Sequence, residues 1–292
     1  MKALVPLLLL STLPIAAEDP KMTPIWKVSD ADSTVFLAGS VHLLREEDLP
    51  LPTAFDRVYA EAEDLVFEID MRTMASPETV SEMRRLSALP DGETLADRFG
   101  EETMERLRDY AMEQGKPAGF FDSFTPGMTY LMVSLLEASR HGAKPELGLE
   151  STFFTKAVTD GKPSRGLETV AFQISCLGRF EDAKLEEWIL ASLQHLEEEE
   201  GHAFDKITEA WRKGEGEKLA AILKEDPGYS PELYEVLLVE RNRNWIPEIE
   251  KALAEKHDVM FLVGAAHLVG DDGLVELLTK KGLVVTQLES AP

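Results

Sequence analysis

Residues 36–44 read Phe-Leu-Ala-Gly-Ser-Val-His-Leu-Leu, and residues 261–269 read Phe-Leu-Val-Gly-Ala-Ala-His-Leu-Val. Phe, Leu, Gly, His and Leu recur at matching places in the two stretches. Each is a short apolar run that ends in G-x-x-H, followed by a turn, a helical pattern and a further apolar run. Short runs bounded in this way read as buried strands. Strands separated by helices imply a mainly parallel sheet. Ligand sites of open α/β sheets lie at the carboxyl ends of such strands. His42 and His267, 225 positions apart, would therefore reach one sheet edge if the two strands share a sheet.

Residues 25–29 and 34–41 predict two strands around a turn from Asp30 to Ser33. Pro52 to Glu63 predicts a helix with proline in its first turn. Asp64 to Asp70 predicts a third strand. From Pro77 to Arg140 the pattern is helical, broken at Pro90-Asp91-Gly92, Gly115 to Pro117 and Pro126-Gly127. Glu150 to Asp160 predicts a helix and Ser164 to Glu168 a short strand. Leu185, Trp188, Ile189, Leu193 and Leu196 step by three or four residues and mark one buried helix face. Leu233 to Ile246 predicts another helix that Pro247 should kink or restart. The end reads strand, helix, strand over Val259–Ala265, Gly273–Lys281 and Leu283–Leu288. The expected fold is α/β: a central, mainly parallel sheet formed by both chain ends, with a helical insertion over about 77–255. Residues 18–292 are expected to form one domain.

The residue types at the strand ends suggest chemistry. Neutral imidazole is the commonest metal ligand, and Gly39 and Gly264 would let backbone or substrate approach closely. Glu68 interrupts an otherwise apolar strand. A carboxylate there is costly unless it binds a metal, pairs with a cation or faces outward from an edge. Together with two histidines it would make a three-ligand site with open positions, as catalytic metals require. Arg241 falls on the apolar stripe set by Tyr234, Leu237, Leu238 and Trp245, where it should meet a buried acid or a substrate oxyanion unless it snorkels. Asn242 adjoins it. Glu168 and Glu150 could line the site, although a helix-start carboxylate explains both. His195, Glu199 and His202 read as part of a solvated acidic run, and Cys176 as a small core residue.

Composition narrows the function classes. Fifty-four acids against thirty bases give a net charge of −24, which repels phosphate backbones and argues against nucleic-acid binding. A single cysteine excludes an internal disulfide or a thiolate metal site. Lys2, the apolar run Ala3–Leu10 and the small residues before Glu18 have the layout of a secretory signal over residues 1–17. That run is too short to span a membrane. The mature protein is therefore expected to be exported, periplasmic or secreted, without stable membrane insertion.

Several motifs together resemble the TraB/GumN family, relatives of the Tiki metalloproteases that cleave secreted signalling proteins. They are Ile25-Trp26-Lys27 before the first G-x-x-H, Pro50-Leu51-Pro52 after it, and Val66-Phe67-Glu68-Ile69-Asp70. Gly166-Leu167-Glu168-Thr169 with Gln173 fits too, as do Arg241-Asn242 with Trp245 and the second G-x-x-H. The fold is also similar to the erythromycin-esterase and ChaN-like group. The resemblance implies a metal-dependent hydrolase, with His42 and His267 as ligands and Glu68 as ligand or general base. Arg241 and Asn242 would orient substrate, and Glu168 gains weight as a proton carrier. The leading expectation is an exported peptidase using Mn²⁺, Co²⁺ or Zn²⁺ on a peptide or small-molecule substrate. A metal-free esterase and a non-catalytic binding protein for a peptide or polysaccharide precursor are the alternatives.

Overall fold

The computed structural model describes residues 21–29, 33–198, 202–225 and 230–290. The segment 1–17 expected to be a leader, most of the Asp30–Ser33 turn, Glu199 and the side chains of His195 and His202 lie outside the described part. The chain begins with β1 (Met22–Ser29), β2 (Thr34–Ser40), α1 (Thr53–Glu61) and β3 (Asp64–Ile69). Helices α2 (Pro77–Ser87), α3 (Glu101–Glu113), α4 (Pro126–Arg140) and α5 (Leu149–Asp160) lead to β4 (Ser164–Glu168). There follow α6 (Val170–Leu177), α7 (Asp182–Glu198), α8 (His202–Arg212), α9 (Gly216–Glu225) and α10 (Pro231–Tyr234). A π-helical turn, Glu235–Val239, joins α10 to α11 (Glu240–Ala254). The chain closes with β5 (Val259–Gly264), α12 (Leu274–Lys280) and β6 (Val284–Glu289).

The six strands form one sheet in the order β4-β3-β5-β2-β1-β6. The pairs β4–β3, β3–β5 and β5–β2 are parallel, whereas β1 runs against both β2 and β6. The two chain ends thus share the sheet, and the two G-x-x-H strands are immediate neighbours. Their register is offset by one from their sequence likeness: Gly39 lies opposite Val263, and Ser40 opposite Gly264. Strands β2 and β5 are buried at every position, which explains apolar runs without alternation: both faces are covered. On β6, at the sheet's edge, exposed positions alternate with half-buried ones over most of its length.

Local signals set the helix boundaries. The Ser76 hydroxyl accepts from the Thr79 N–H with Pro77 in the first turn, and Thr125 caps Met128 ahead of Pro126. Proline at the first helical position costs no hydrogen bond, so Pro126-Gly127 opens α4. At the other end of α5, Gly161 takes a left-handed φ of 68°, the usual helix stop.

The short strand expected at Ser164–Glu168 is β4, which returns from the helical middle to form a sheet edge beside β3. Helix α11 carries Pro247 in its interior and runs on to Ala254, beyond the Ile246 end expected from the sequence. A π turn at Glu235–Val239 precedes it. The helical middle also has apolar cores of its own. Leu95, Leu107, Phe121, Ile189 and Leu193 form one, and Leu177, Leu185, Trp188 and Leu233 another. Four of the five residues predicted to face inward on α7 are buried in these clusters, and Leu196 packs against the first.

Candidate active site

Four adjacent parallel strands each deliver a polar group at or just beyond their carboxyl ends. In sheet order these are Glu168 from β4, Glu68 from β3, Gly264 with His267 from β5, and His42 from β2. Helix α11 contributes Arg241, Asn242 and Trp245, and α5 contributes Glu150.

Glu68 is the hub. Its Oε1 accepts the Gly264 N–H at 2.7 Å and lies 4.0 Å from His42 Nε2 and 3.9 Å from His267 Nε2. Its Oε2 accepts from Arg241 Nη2 at 2.6 Å and from Gln173 Nε2 at 3.2 Å. Burial opposes its charge, but His267, His42, Arg241 and the Gly264 amide outweigh burial and hold its pKa far below the ordinary carboxylate range. Glu168 moves the other way. Burial pushes it up, although its carboxylate accepts from Arg241 Nε at 3.0 Å and from the Trp245 indole at 2.9 Å.

The two histidines are held from behind by different partners. Asn242 Nδ2 donates to the Asp272 carbonyl at 2.9 Å, which turns Oδ1 toward His267 Nδ1 at 2.7 Å. Only a protonated Nδ1 can donate there, so the His267 Nε2 lone pair faces the site. Arg241 Nη1 meets that lone pair at 3.1 Å. Burial, with the Arg241 charge adding to it, lowers the His267 pKa to about 3. His42 has a more open ring, 58% exposed, whose Nδ1 lies 2.8 Å from Glu150 Oε1. The Glu150 charge draws its pKa upward. Ser40 also donates to Glu150 Oε1, while Glu150 Oε2 is buried without a hydrogen-bond partner.

Arg241 ties these groups together. Besides Glu68, Glu168 and His267, it donates to the Leu237 carbonyl of the π turn at 2.9 Å and lies over the Trp245 ring at 4.9 Å. Among the described residues, no group of three or more His, Cys, Asp or Glu side chains is gathered as a metal-holding cluster. In this arrangement the guanidinium already satisfies the carboxylates and one imidazole that a metal would engage.

His42, Glu68, Glu168, Arg241, Asn242, Gly264 and His267 are brought to one place. Gly39 lies beneath it: a Cβ there would press on Ala265 and the Pro24 carbonyl at 3.1 Å, and its own carbonyl accepts from the Trp211 indole. A Cβ on Gly264 would instead point at Glu68 Oε1, 3.1 Å away, and at both histidines, 3.6 Å away. Cys176 is buried. His141 and His257 pair with Glu137 and Asp64.

Glu150 and Ser40 are the contributors hardest to see in the sequence. One signal was present: Gly148-Leu149-Glu150 recurs as Gly166-Leu167-Glu168. Both glycines press against backbone at a strand end. A Cβ would come within 2.0 Å of the His42 carbonyl in the first copy and 2.2 Å of the Asp70 nitrogen in the second. In both, the glutamate two residues later backs a site residue.

A mostly parallel-sheet α/β protein with imidazoles, carboxylates and a guanidinium at adjacent strand ends is the class that fold and site define. The chain matches the TraB/PrgY/gumN family over residues 24–287 and belongs to that family. It is 25% identical to the Escherichia coli (strain K12) protein named "Uncharacterized protein YbaP" over 242 residues, covering 83% of this chain and 86% of that one. The Shigella flexneri protein of the same name gives the same figures. No solved structure matches the chain.

Proposed function

We propose that the protein is an exported, metal-dependent hydrolase acting on peptide bonds. The observation carrying this reading is the convergence of His42 Nε2 and His267 Nε2 on one oxygen of Glu68, at 4.0 and 3.9 Å. Both Nδ1 atoms are occupied from behind by Glu150 and Asn242, and such hydrogen bonds fix the ring orientation of ligating histidines. The charges also favour an added cation. Glu68 and Glu168 share one guanidinium, Glu150 lies against His42, and Glu150 Oε2 is buried without a partner among the described residues. The ligands would be His42, Glu68 and His267, with Arg241 giving up the His267 lone pair.

A bound divalent ion would polarise the scissile carbonyl and lower the pKa of water, and this donor set does not choose among Mn²⁺, Co²⁺ and Zn²⁺. Glu68, held ionised, keeps its place as a ligand. Glu168, pushed up by burial, is the better carrier of a proton to the leaving amine; environments that separate two carboxylates divide their roles in this way. Arg241, once released from His267 Nε2, would donate Nη1 to the developing oxyanion. His42, the exposed edge of the set, is where substrate would enter.

One observation favours a metal-free hydrolase as the second reading: Arg241 already meets His267, leaving the His42–Glu150 pair as the accessible proton-transfer group. The test is peptide turnover by chelator-treated protein before and after adding Mn²⁺, Co²⁺ or Zn²⁺. Activity that returns with metal in wild type, but in neither H42A nor H267A, is the expected result. Activity that survives the chelator and H267A, but not H42A, would replace the metal reading with the metal-free one. No turnover under any condition would leave the binding-protein alternative.

A further inference from the structure

Strand β4 ends the sheet, and its outer edge faces a cleft of about 480 Å³ between β4–α6 and helix α2, lined among others by Gly166, Glu168, Thr79, Glu82 and Met83. The Leu65 N–H donates to the Pro163 carbonyl at 3.0 Å, and Leu65 lies opposite Ser164, Phe67 opposite Gly166. In a parallel ladder this parity turns the backbone groups of Arg165 and Leu167 toward β3. Those of Ser164, Gly166 and Glu168 turn outward. Among the described residues none of these outward groups has a backbone hydrogen-bond partner. An unpaired strand edge is a template for another extended chain.

We propose that an extended peptide adds to the sheet as a further strand along β4, and that this cleft is the subsite leading its backbone to Glu168. The proposal deepens the peptidase reading and takes its substrate class from it. Only an extended backbone offers donors and acceptors at the spacing that the edge presents, and strand addition is a common way to bind peptides without a fixed sequence. Charge selects among peptides. Arg165 is paired with Glu248 at 3.4 Å and Arg72 with Asp70 at 2.6 Å, while Glu82, about half exposed, has among the described residues only a 3.8 Å contact with Arg85 on its own helix. In a chain of net charge −24 this wall suits a peptide with basic side chains on the face toward α2.

The test uses H42A protein, so that binding is read without turnover. The probe is an acetylated, amidated nonapeptide of alternating threonine and lysine, with a second version N-methylated at every other amide on the pairing edge. The first peptide should bind and slow amide exchange at Gly166, and methylation should weaken it about tenfold or more, as loss of two or more net hydrogen bonds implies. M83W, which fills the cleft, should weaken binding comparably. E82K should do so for the lysine peptide and improve binding of a glutamate-substituted one, keeping the test decisive if M83W does not fold. Equal binding of the methylated peptide, unchanged exchange at Gly166, or indifference to E82K would overturn the proposal. Protection of Gly166 without cleavage by wild type under any metal would uphold the subsite and remove the hydrolase. Cleavage without that protection would do the reverse.

Discussion

Arg241 and Glu68 are two charged side chains that would each be costly to bury alone. Each is 9% exposed at the side chain, and they meet at 2.6 Å. Removing one partner of such a pair strands the other. Glu68→Ala should therefore lower unfolding stability by about 3–5 kcal/mol in urea titrations, with Glu68→Gln costing less because it keeps a hydrogen-bond acceptor. Both residues were legible as charges in an apolar pattern, since burial of a charge conflicts with everything around it. Glu150 was legible only as one of two readings, because an acid in the first turn of a helix is ordinary and only the fold reveals His42 behind it. If Glu150 orients His42, Glu150→Gln should cut turnover by about 10–100-fold while leaving the melting temperature nearly unchanged. An equal loss of both would make its role structural. His267 gives a prediction with a definite sign. Its folded pKa, about 3, lies below the ordinary 6.5, so its contribution to stability is complete above pH 6.5 and is lost as pH falls toward 3. Nitrogen NMR of the metal-free protein should find His267 neutral and Nδ1-protonated at pH 5; a midpoint near 6.5 would contradict the effect of burial, and an Nε2-protonated neutral ring would contradict the Asn242 assignment.

Among the elements, the two glycine-leucine-glutamate copies put helix α5 and strand β4 to the same use. A glycine allows contact with the loop after one strand, and the glutamate two residues later reaches the site. Gly148→Ala would drive a methyl to 2.0 Å from the His42 carbonyl, so it should cost about 1–3 kcal/mol, as overpacking does, and displace His42. Gly264→Ala points into the site, 3.1 Å from Glu68. It should depress turnover far more than it depresses the melting temperature. A reversed ranking of the two variants in thermal melts would show that these glycines have been assigned to the wrong roles. The G-x-x-H strands were readable because both are buried on two faces and so lack polar alternation. The π turn was not, because no residue in Glu235–Val239 departs from a helical pattern. Its consequence is visible only where the Leu237 carbonyl accepts from Arg241.

At the scale of the molecule, the sheet order explains how residues from opposite chain ends share a site. Strand β5 inserts between β3 and β2, which sets the strand end leading to His267 between those leading to Glu68 and His42. The neighbouring G-x-x-H strands follow from the sequence echo and the parallel rule, but the place of β4 does not. Its five residues, Ser164–Glu168, carry no strong strand pattern and gain their position by pairing with β3. No described helix is long and apolar enough to cross a membrane. The leader reading for residues 1–17 predicts that the exported protein begins at Glu18, which mass spectrometry of the purified product would check. If His42, Glu68 and His267 surround one cation position that Arg241 covers, diffraction from Mn²⁺-soaked crystals at the manganese edge should show a single anomalous peak bonded to both Nε2 atoms and to Glu68, with Arg241 withdrawn from His267. No peak there, with Arg241 still on His267 at saturating metal, would contradict that cation position.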